Sequence, residues 1–369
     1  MKILFINELI GFILPIMIII GSSYLMWRGC KIFAAGSSIV GYRLPSGVRG
    51  ATINAIGSSL PEFFTALLFF FILSDSASGI SAALGTVVGS AIFNILIIPA
   101  IVISILIKKN QNLTIKKSLI LRDGSILIIA QFLLLFFISD GKISSKEGGI
   151  LLLFYLLYVF YLFKSGKWKE KNPKINSKKL KNGWINLLIG CFIAGFGSWI
   201  CVEVCELLSH KEWNTWWSEI FTKKPIKGLG EFKWASIGML ALLLAAAASS
   251  IPDLFISMID ARKGKTEDAL SNTIGSNIFD ICIAFSLPLS IYTLLNNGID
   301  LQIENSTILT EVNNFIILMI LITIMVLTSV LFVKKFHQIH IVLFSTLFIM
   351  FIYLIFNQDI LANFINYLS

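Results

Sequence analysis

The stretch IGSSLPEFFT, residues 56–65, places a glutamate directly after a proline inside a long apolar run. A carboxylate at membrane depth is costly, and a proline removes a backbone hydrogen bond from its helix. The arrangement returns in the second half of the chain, where residues 249–253 read SSIPD against SSLPE at 58–62. Two costly features at matching positions predict a functional pair.

A second motif follows the first in each half and in the same order. The heptapeptide VGSAIFN at 88–94 recurs as IGSNIFD at 274–280. Chance similarity between apolar segments would not keep the acids, serines and glycines aligned in this way. The sequence therefore predicts an internal repeat, with its two signature regions at about 50–99 and 235–288.

The composition of the whole chain is that of a membrane protein. Hydrophobic residues make up 56% of the 369 positions and charged residues 14%, and the mean hydropathy is +0.84. A membrane-spanning helix needs about 20 apolar residues. We therefore predict an all-α polytopic membrane protein with ten transmembrane helices, at residues 9–27, 47–73, 80–107, 118–138, 148–163, 184–208, 234–260, 268–294, 314–333 and 339–356.

The distribution of lysine and arginine predicts the orientation. With both termini outside, 22 of the 30 basic residues fall on inner loops, as the positive-inside rule requires. This bias accounts for most of the net charge of +9, so we do not expect a nucleic-acid partner. The first apolar stretch contains Pro15 and no small-x-small cleavage site before Trp27, so we expect a retained helix and not a signal peptide.

One polar, basic segment divides the chain. Residues 165–183 carry many lysines and Pro173, and we interpret them as a cytosolic linker between a first five-helix repeat at 1–164 and a second at 184–369. An odd number of crossings per half places the halves upside down relative to each other. This is the inverted-repeat architecture of many secondary transporters.

The polar residues of the two motifs lie on shared helix faces. Residues three or four positions apart on a helix are neighbours, and this spacing groups the following sets: Ser58, Ser59 and Glu62; Ser249, Ser250 and Asp253; Thr86, Ser90 and Asn94; Asn272, Ser276 and Asp280. Every candidate ligand is an oxygen atom. Such a set suits a hard cation, and Ca²⁺ in particular takes six to eight oxygens including carboxylates.

Three segments carry a resemblance to a known family: GATINAIGSSLPEFF (50–64), GTVVGSAIFNIL (85–96) and IPDLFISMIDARKGKTEDALSNTIGSNIFDI (251–281). They resemble the α-repeats of the cation/Ca²⁺ exchanger superfamily, and most closely the K⁺-dependent Na⁺/Ca²⁺ exchanger branch. The chain departs from that branch at 245–253, AAAASSIPD, where Ala248 and Ser249 replace a glycine and a threonine. It also lacks the large regulatory loop of the animal Na⁺/Ca²⁺ exchangers.

The resemblance implies a ligand set for the transported ion. Glu62 and Asp253 match the Ca²⁺-coordinating acids, and Asp280 matches the aspartate of K⁺-dependent members. The remaining implied ligands are hydroxyls, an amide and two backbone carbonyls, at Ser58, Ser59, Ser249, Ser250, Ser90, Ser276, Asn94, Ala55 and Ala246. No resident cofactor is implied, because Ca²⁺, Na⁺ and K⁺ are the transported substrates.

We therefore expect a transporter and not an enzyme: an antiporter that exchanges Ca²⁺ for Na⁺ by alternating access, with K⁺ co-transported with Ca²⁺. The small size and missing regulatory loop favour a prokaryotic cytoplasmic membrane. A Ca²⁺/H⁺ antiporter remains open, since the same acids can carry protons, although the Gly-Asn-x-x-Glu of proton-coupled relatives is missing. A passive cation channel also remains open. An intramembrane aspartyl protease using Asp253 and Asp280 lacks its Gly-x-Gly-Asp signature.

Overall fold

The computed structural model describes residues 2–40, 55–73, 75–109, 117–165, 177–213, 225–232, 234–264, 266–332 and 335–357, together with 360, 361 and 363. Ten helices make up most of these residues. They are α1 (Lys2–Val40), α2 (55–72), α3 (Ser76–Lys108), α4 (Lys117–Ile138), α5 (Ser145–Ser165), α6 (Ser177–Ser209), α7 (Ile237–Arg262), α8 (266–295), α9 (Ser306–Leu331) and α10 (Gln338–Phe356).

The predicted fold class is confirmed. Within the described residues, nine helices are long and apolar enough to cross a membrane, and α2 is the tenth, with a shorter continuous segment at Leu60–Ile72. Each predicted apolar stretch corresponds to one of these helices. Three helices begin seven or eight residues earlier than hydropathy indicated: α1 runs from Lys2, α9 begins at Ser306, and α6 begins at Ser177, within the segment we interpret as the linker.

The two helices that carry the Ser-Ser-x-Pro-acid motif are broken at the motif. Ser59 separates Ala55–Ser58 from Leu60–Ile72 in α2, and Ser250 separates Ala246–Ser249 from Ile251–Arg262 in α7. A proline stands in the first turn of each following segment. Because proline has a fixed φ and no N–H, it suits the first turn of a helix better than its interior. The motif therefore sets the break.

Three π-helical turns lie beside the motifs. They occupy Phe93–Ile97 in α3, Ala241–Ala245 in α7 and Asp280–Phe285 in α8. The turns in α3 and α8 start within one residue of the repeat-related positions Asn94 and Asp280. A π-turn inserts one residue into the helical repeat and redirects the side chains after it, which is why such turns often occur at functional sites.

The motif-bearing helices α3 and α7 pack backbone against backbone. A Cβ built on Gly85 would collide with the carbonyl oxygen of Gly238, and one built on Gly89 would collide with that of Leu242. Since a substituent at either position meets backbone atoms, only glycine permits this approach. Helices α1 and α6 make a second close pair, where a Cβ on Gly29 would lie 2.5 Å from the amide nitrogen of Ala194.

Short antiparallel strands form in the loops between the helices. Strand β1 (Lys142–Ile143), between α4 and α5, pairs with β4 (Ile299–Asp300), between α8 and α9. Strand β2 (Glu212–Trp213) pairs with β3 (Ile226–Lys227) after the end of α6. The β1–β4 pair ties a loop of the first half of the chain to a loop of the second half.

Candidate cation-binding site

The polar residues predicted from the two motifs meet at one place, where α2 and α3 of the first half face α7 and α8 of the second. All three predicted carboxylates are fully buried there. The predicted hydroxyl and amide residues are fully buried as well, namely Ser58, Ser59, Ser90, Asn94, Ser249, Ser250 and Ser276. The breaks in α2 and α7 and the π-turns in α3 and α8 lie at this level.

Glu62 and Asp280 share one hydroxyl. The Oγ of Ser90 lies 3.2 Å from Oε1 of Glu62 and 3.4 Å from Oδ2 of Asp280. Ser250 then donates to the same Ser90 oxygen at 2.9 Å. A serine of the first half is therefore the meeting point of a carboxylate from each half and a hydroxyl from the second.

Asp253 has the larger set of donors. Its Oδ1 accepts from the hydroxyl of Ser276 at 2.9 Å and from the amide of Asn272 at 3.2 Å. Its Oδ2 accepts from the amide of Asn94 at 3.1 Å. Asn94 of the first half thus donates a hydrogen bond to the acid of the second half. Ser58 adds a further contact between the halves, because its Oγ lies 3.4 Å from Oγ of Ser276.

The two alanines whose backbone carbonyls are predicted to bind the ion occupy equivalent positions in the two repeats. The oxygen of Ala55 accepts from the Ser58 hydroxyl at 3.3 Å, and that of Ala246 accepts from the Ser249 hydroxyl at 3.2 Å. Each oxygen also accepts the amide of the serine at the helix break, at 3.0 Å. The two carbonyls therefore make the same hydrogen bonds to the serines that follow them in each repeat.

Among the described residues, four buried oxygens of the site have no hydrogen-bond partner: Oγ of Ser59, Oε2 of Glu62, Oδ1 of Asn94 and Oδ1 of Asp280. A buried polar atom without a partner costs about 1–3 kcal/mol, and more if it is charged. Four such atoms at one site indicate oxygens that are arranged to bind a ligand and not one another. A bound cation would supply the missing partner for all four.

The charge of the site leads to the same conclusion. Within the described part of the chain, no lysine or arginine is ion-paired to Glu62, Asp253 or Asp280, and the salt bridge seen there joins Arg122 to Asp123. Isolated buried carboxylates are strongly unfavourable unless they are paired with a positive charge or neutralised by protons. The described residues also hold no compact cluster of three His, Cys, Asp or Glu side chains. Hydroxyls and amides instead contact the three acids, and together they form a mixed oxygen set suited to hard cations.

Asn277 belongs to the site and was absent from the predicted set. Its Oδ1 accepts from Asn94 at 3.0 Å, and its own amide donates to the carbonyl of Ala91 at 3.0 Å. It therefore fixes the amide of Asn94 so that Nδ2 faces the second half and Oδ1 remains free. The sequence signal was weak, because the matching position of the first repeat is the apolar Ala91. Asn272, singled out by spacing alone, contacts Asp253 directly.

Comparison with known families identifies the family of the chain. The family model described as "Sodium/calcium exchanger protein" matches residues 8–164 and 225–357, which together make up most of the chain. The two matched segments contain the two halves of the site.

Curated relatives fall into two groups. Sodium/potassium/calcium exchanger 2 of Gallus gallus is 35% identical over 106 residues, which is 29% of this chain and 16% of that protein. The chain therefore aligns with only a small part of that relative. An uncharacterized membrane protein of Methanocaldococcus jannaschii is 28% identical over 279 residues, 72% of this chain and 80% of that protein. The inner membrane protein YrbG of Escherichia coli is 22% identical over 272 residues, 70% of this chain and 73% of that protein.

Solved structures of exchangers share the fold. The sodium-calcium exchanger NCX_Mj superimposes with a TM-score of 0.59 at 22% identity, covering 91% of this chain and 98% of that one. The H⁺/Ca²⁺ exchanger CAX superimposes with a TM-score of 0.68 at 15% identity, covering 95% of this chain and 85% of that one. At these identities the likeness concerns the fold alone. Taken with the family match over both halves, it shows that the chain is a multi-pass integral membrane protein of the sodium/calcium exchanger family.

Proposed function

We propose that this protein exchanges Ca²⁺ for Na⁺ across a membrane, with K⁺ carried together with Ca²⁺. The observation that carries the proposal is the buried group of three carboxylates, Glu62, Asp253 and Asp280, with four buried oxygens left without partners beside them. Three negative charges match one Ca²⁺ plus one monovalent cation. Several Na⁺ ions can bind to the same oxygens in place of Ca²⁺, so the site cannot hold Ca²⁺ and its full set of Na⁺ ions at the same time.

The proposed ligands divide between the halves. Glu62, with Ser58, Ser59 and the Ala55 carbonyl, would hold the ion from α2, and Asp253, with Ser249, Ser250 and the Ala246 carbonyl, would hold it from α7. Ser90, Asn94, Ser276 and Asp280 would complete the shell from α3 and α8. We propose that Asp280 is the K⁺-linked carboxylate, because its repeat-related position holds the neutral Asn94 and it is the one acid without a counterpart in the other half.

Access to the site would alternate through movement of α1 and α6. These helices pack closely on each other at Gly29 and Ala194. Their described polar contact with the site helices is a hydrogen bond from Ser198 to the carbonyl of Pro61, 3.3 Å long. Helix α1 also touches α7 through the rings of Trp27 and Phe255, 4.9 Å apart. A pair that is tight within itself and packs on α2 through apolar side chains, such as Phe33 against Leu60, suits a sliding unit.

The bacterial and archaeal relatives support placing the protein in a prokaryotic cytoplasmic membrane. We further propose that both termini face outward, because this orientation places 22 of 30 basic residues inside. Residues 165–183 would then be a cytosolic linker between repeats 1–164 and 184–369.

A Ca²⁺/H⁺ antiporter is the second candidate. Buried carboxylates without a described counter-charge can be neutralised by protons as well as by metal ions. The same three acids would then carry protons outward in place of Na⁺, and the fold and the Ca²⁺ ligands would be unchanged.

Radioactive Ca²⁺ uptake into proteoliposomes distinguishes the candidates. Vesicles are loaded with Na⁺ or with choline, and uptake is measured with and without external K⁺ and with and without an imposed pH gradient; each condition is repeated with a protonophore as a control. Uptake that requires internal Na⁺ and external K⁺ supports the proposal. Uptake that follows an imposed pH gradient and ignores Na⁺ contradicts it and assigns proton coupling. Uptake that requires no counter-ion indicates a channel.

A further inference from the structure

A second polar group lies between α3, α7 and α9, away from the proposed exchange site. It consists of Ser81 on α3, Ser236 at the start of α7 and Glu311 on α9, and we call it the α9 cluster. Ser81 and Ser90 are nine positions apart on α3, so at 1.5 Å per residue the cluster is about 13 Å from the exchange site along the helix. The tightly packed seam at Gly85 and Gly89 lies between them.

Glu311 is held at this position by the start of α7. Ser236 donates to its Oε1 at 2.7 Å, while the same hydroxyl accepts the amide of Met239 at 3.1 Å as the cap of the helix. No ion pair to Glu311 is present among the described residues. The carboxylate therefore has one hydroxyl partner and no described counter-charge, although only part of it is exposed to solvent.

Ser81 and Glu311 lie against the same glycine, Gly238. Ser81 is 1% exposed, and among the described residues its Oγ has no hydrogen-bond partner. A Cβ built on Gly238 would collide with this oxygen and would lie 2.9 Å from Oε1 of Glu311. Only glycine at this position therefore leaves space for the Ser81 hydroxyl beside Glu311. A buried hydroxyl beside a carboxylate that it does not bond indicates a place for a small ligand.

We propose that the α9 cluster binds one Na⁺ ion, with Oε1 of Glu311 and Oγ of Ser81 as its protein ligands. The ligands are oxygens only, which selects a hard cation. The single negative charge balances a monovalent ion, whereas a divalent ion would leave an uncompensated charge in a partly buried place. The partial exposure of Glu311 lets water complete the coordination. This site does not depend on the proposed exchange function.

Thermal unfolding of the full chain in detergent tests the proposal. The double variant E62Q/D253N removes two acids of the exchange site and keeps Asp280, so a response to Na⁺ is assigned to the α9 cluster only if a substitution in that cluster abolishes it. Its melting temperature is measured as NaCl replaces choline chloride at constant ionic strength and pH. A ligand that binds the folded state alone raises the melting temperature with its concentration. We expect such a rise in E62Q/D253N and its loss when E311Q or S81A is added.

The two added variants separate binding from structure. Glutamine at 311 keeps an oxygen for Ser236, and alanine at 81 leaves the Ser236–Glu311 hydrogen bond intact. The exposed Glu212 supplies the control E212Q, which should leave the rise unchanged. The proposal is overturned by any of three results: no rise with Na⁺ in E62Q/D253N, a rise that survives both E311Q and S81A, or a larger rise with CaCl₂ at matched ionic strength.

Discussion

The hydroxyl of Ser250 on α7 donates to the hydroxyl of Ser90 on α3 at 2.9 Å, joining the two halves of the chain at the centre of the molecule. A second contact between hydroxyls of the two halves joins Ser58 on α2 to Ser276 on α8 at 3.4 Å. Each pair combines the broken helix of one half with the π-turned helix of the other. Neither half alone therefore contains the candidate site, which forms only when the halves pack together.

Replacing Asn277 with alanine is expected to weaken Ca²⁺ binding without unfolding the protein. Asn277 orients Asn94 through its Oδ1 and is itself anchored to the Ala91 carbonyl. Loss of an orienting residue behind a metal ligand typically costs 10–100-fold in affinity. Equilibrium binding of radioactive Ca²⁺ to the purified variant measures the effect.

The control for this variant is Asn296→Ala. Asn296 is exposed just after α8 and donates to the carbonyl of Tyr292 in its own helix. Its loss should leave Ca²⁺ affinity unchanged. Equal affinities for N277A and the wild-type protein would show that the amide of Asn94 needs no support from Asn277.

Asp280→Asn is expected to abolish the K⁺ requirement of Ca²⁺ uptake. The substitution keeps the size of the side chain and removes the carboxylate that has no counterpart in the first repeat, so the site would no longer need a second cation for charge balance. Initial rates of Na⁺-driven Ca²⁺ uptake are compared with and without external K⁺. If uptake by D280N still depends on K⁺ as in the wild-type protein, the K⁺ assignment is wrong.

Gly89→Ala is expected to destabilise the fold. The new methyl group would collide with the carbonyl of Leu242 and lie 2.6 Å from Cβ of Ala246, so α3 and α7 would have to separate. Overpacking of this kind costs about 1–3 kcal/mol. The melting temperature of the purified protein provides the measurement, and Gly149→Ala is the control, since no atom lies within 4 Å of a Cβ at Gly149. An unchanged melting temperature in G89A would show that the seam can open without cost.

Much of this architecture could be predicted from the sequence, because the physical constraints repeat. The acids at 62 and 253 stand out against apolar surroundings, and their matching Ser-Ser and Pro neighbours point to an inverted repeat. Hydropathy located all ten helices. It could not locate the start of α1 at Lys2 or of α6 at Ser177. Residues outside the apolar span can continue a helix, and hydropathy does not show where that helix begins.

Features that depend on tertiary contacts could not be predicted. Asn277 is a single amide whose repeat mate is Ala91, so no internal comparison marked it. The α9 cluster depends on Glu311, which the repeat motifs do not include. The π-turns leave no pattern in residues 93–97 or 280–285 that differs from an ordinary apolar helix. Asn277 and the α9 cluster depend on the packing of α3, α7, α8 and α9 against one another.

Ca²⁺ binding by the two repeat-related acid variants tests the central claim most directly. Radioactive Ca²⁺ is titrated into the purified wild-type protein, E62Q and D253N, with and without competing Na⁺, and melting temperatures confirm that the variants are folded. The account predicts Na⁺-displaceable Ca²⁺ binding by the wild-type protein and its loss in each single variant, since each half supplies one of the two acids. Full Ca²⁺ binding by either folded variant would contradict a site shared between the two repeats.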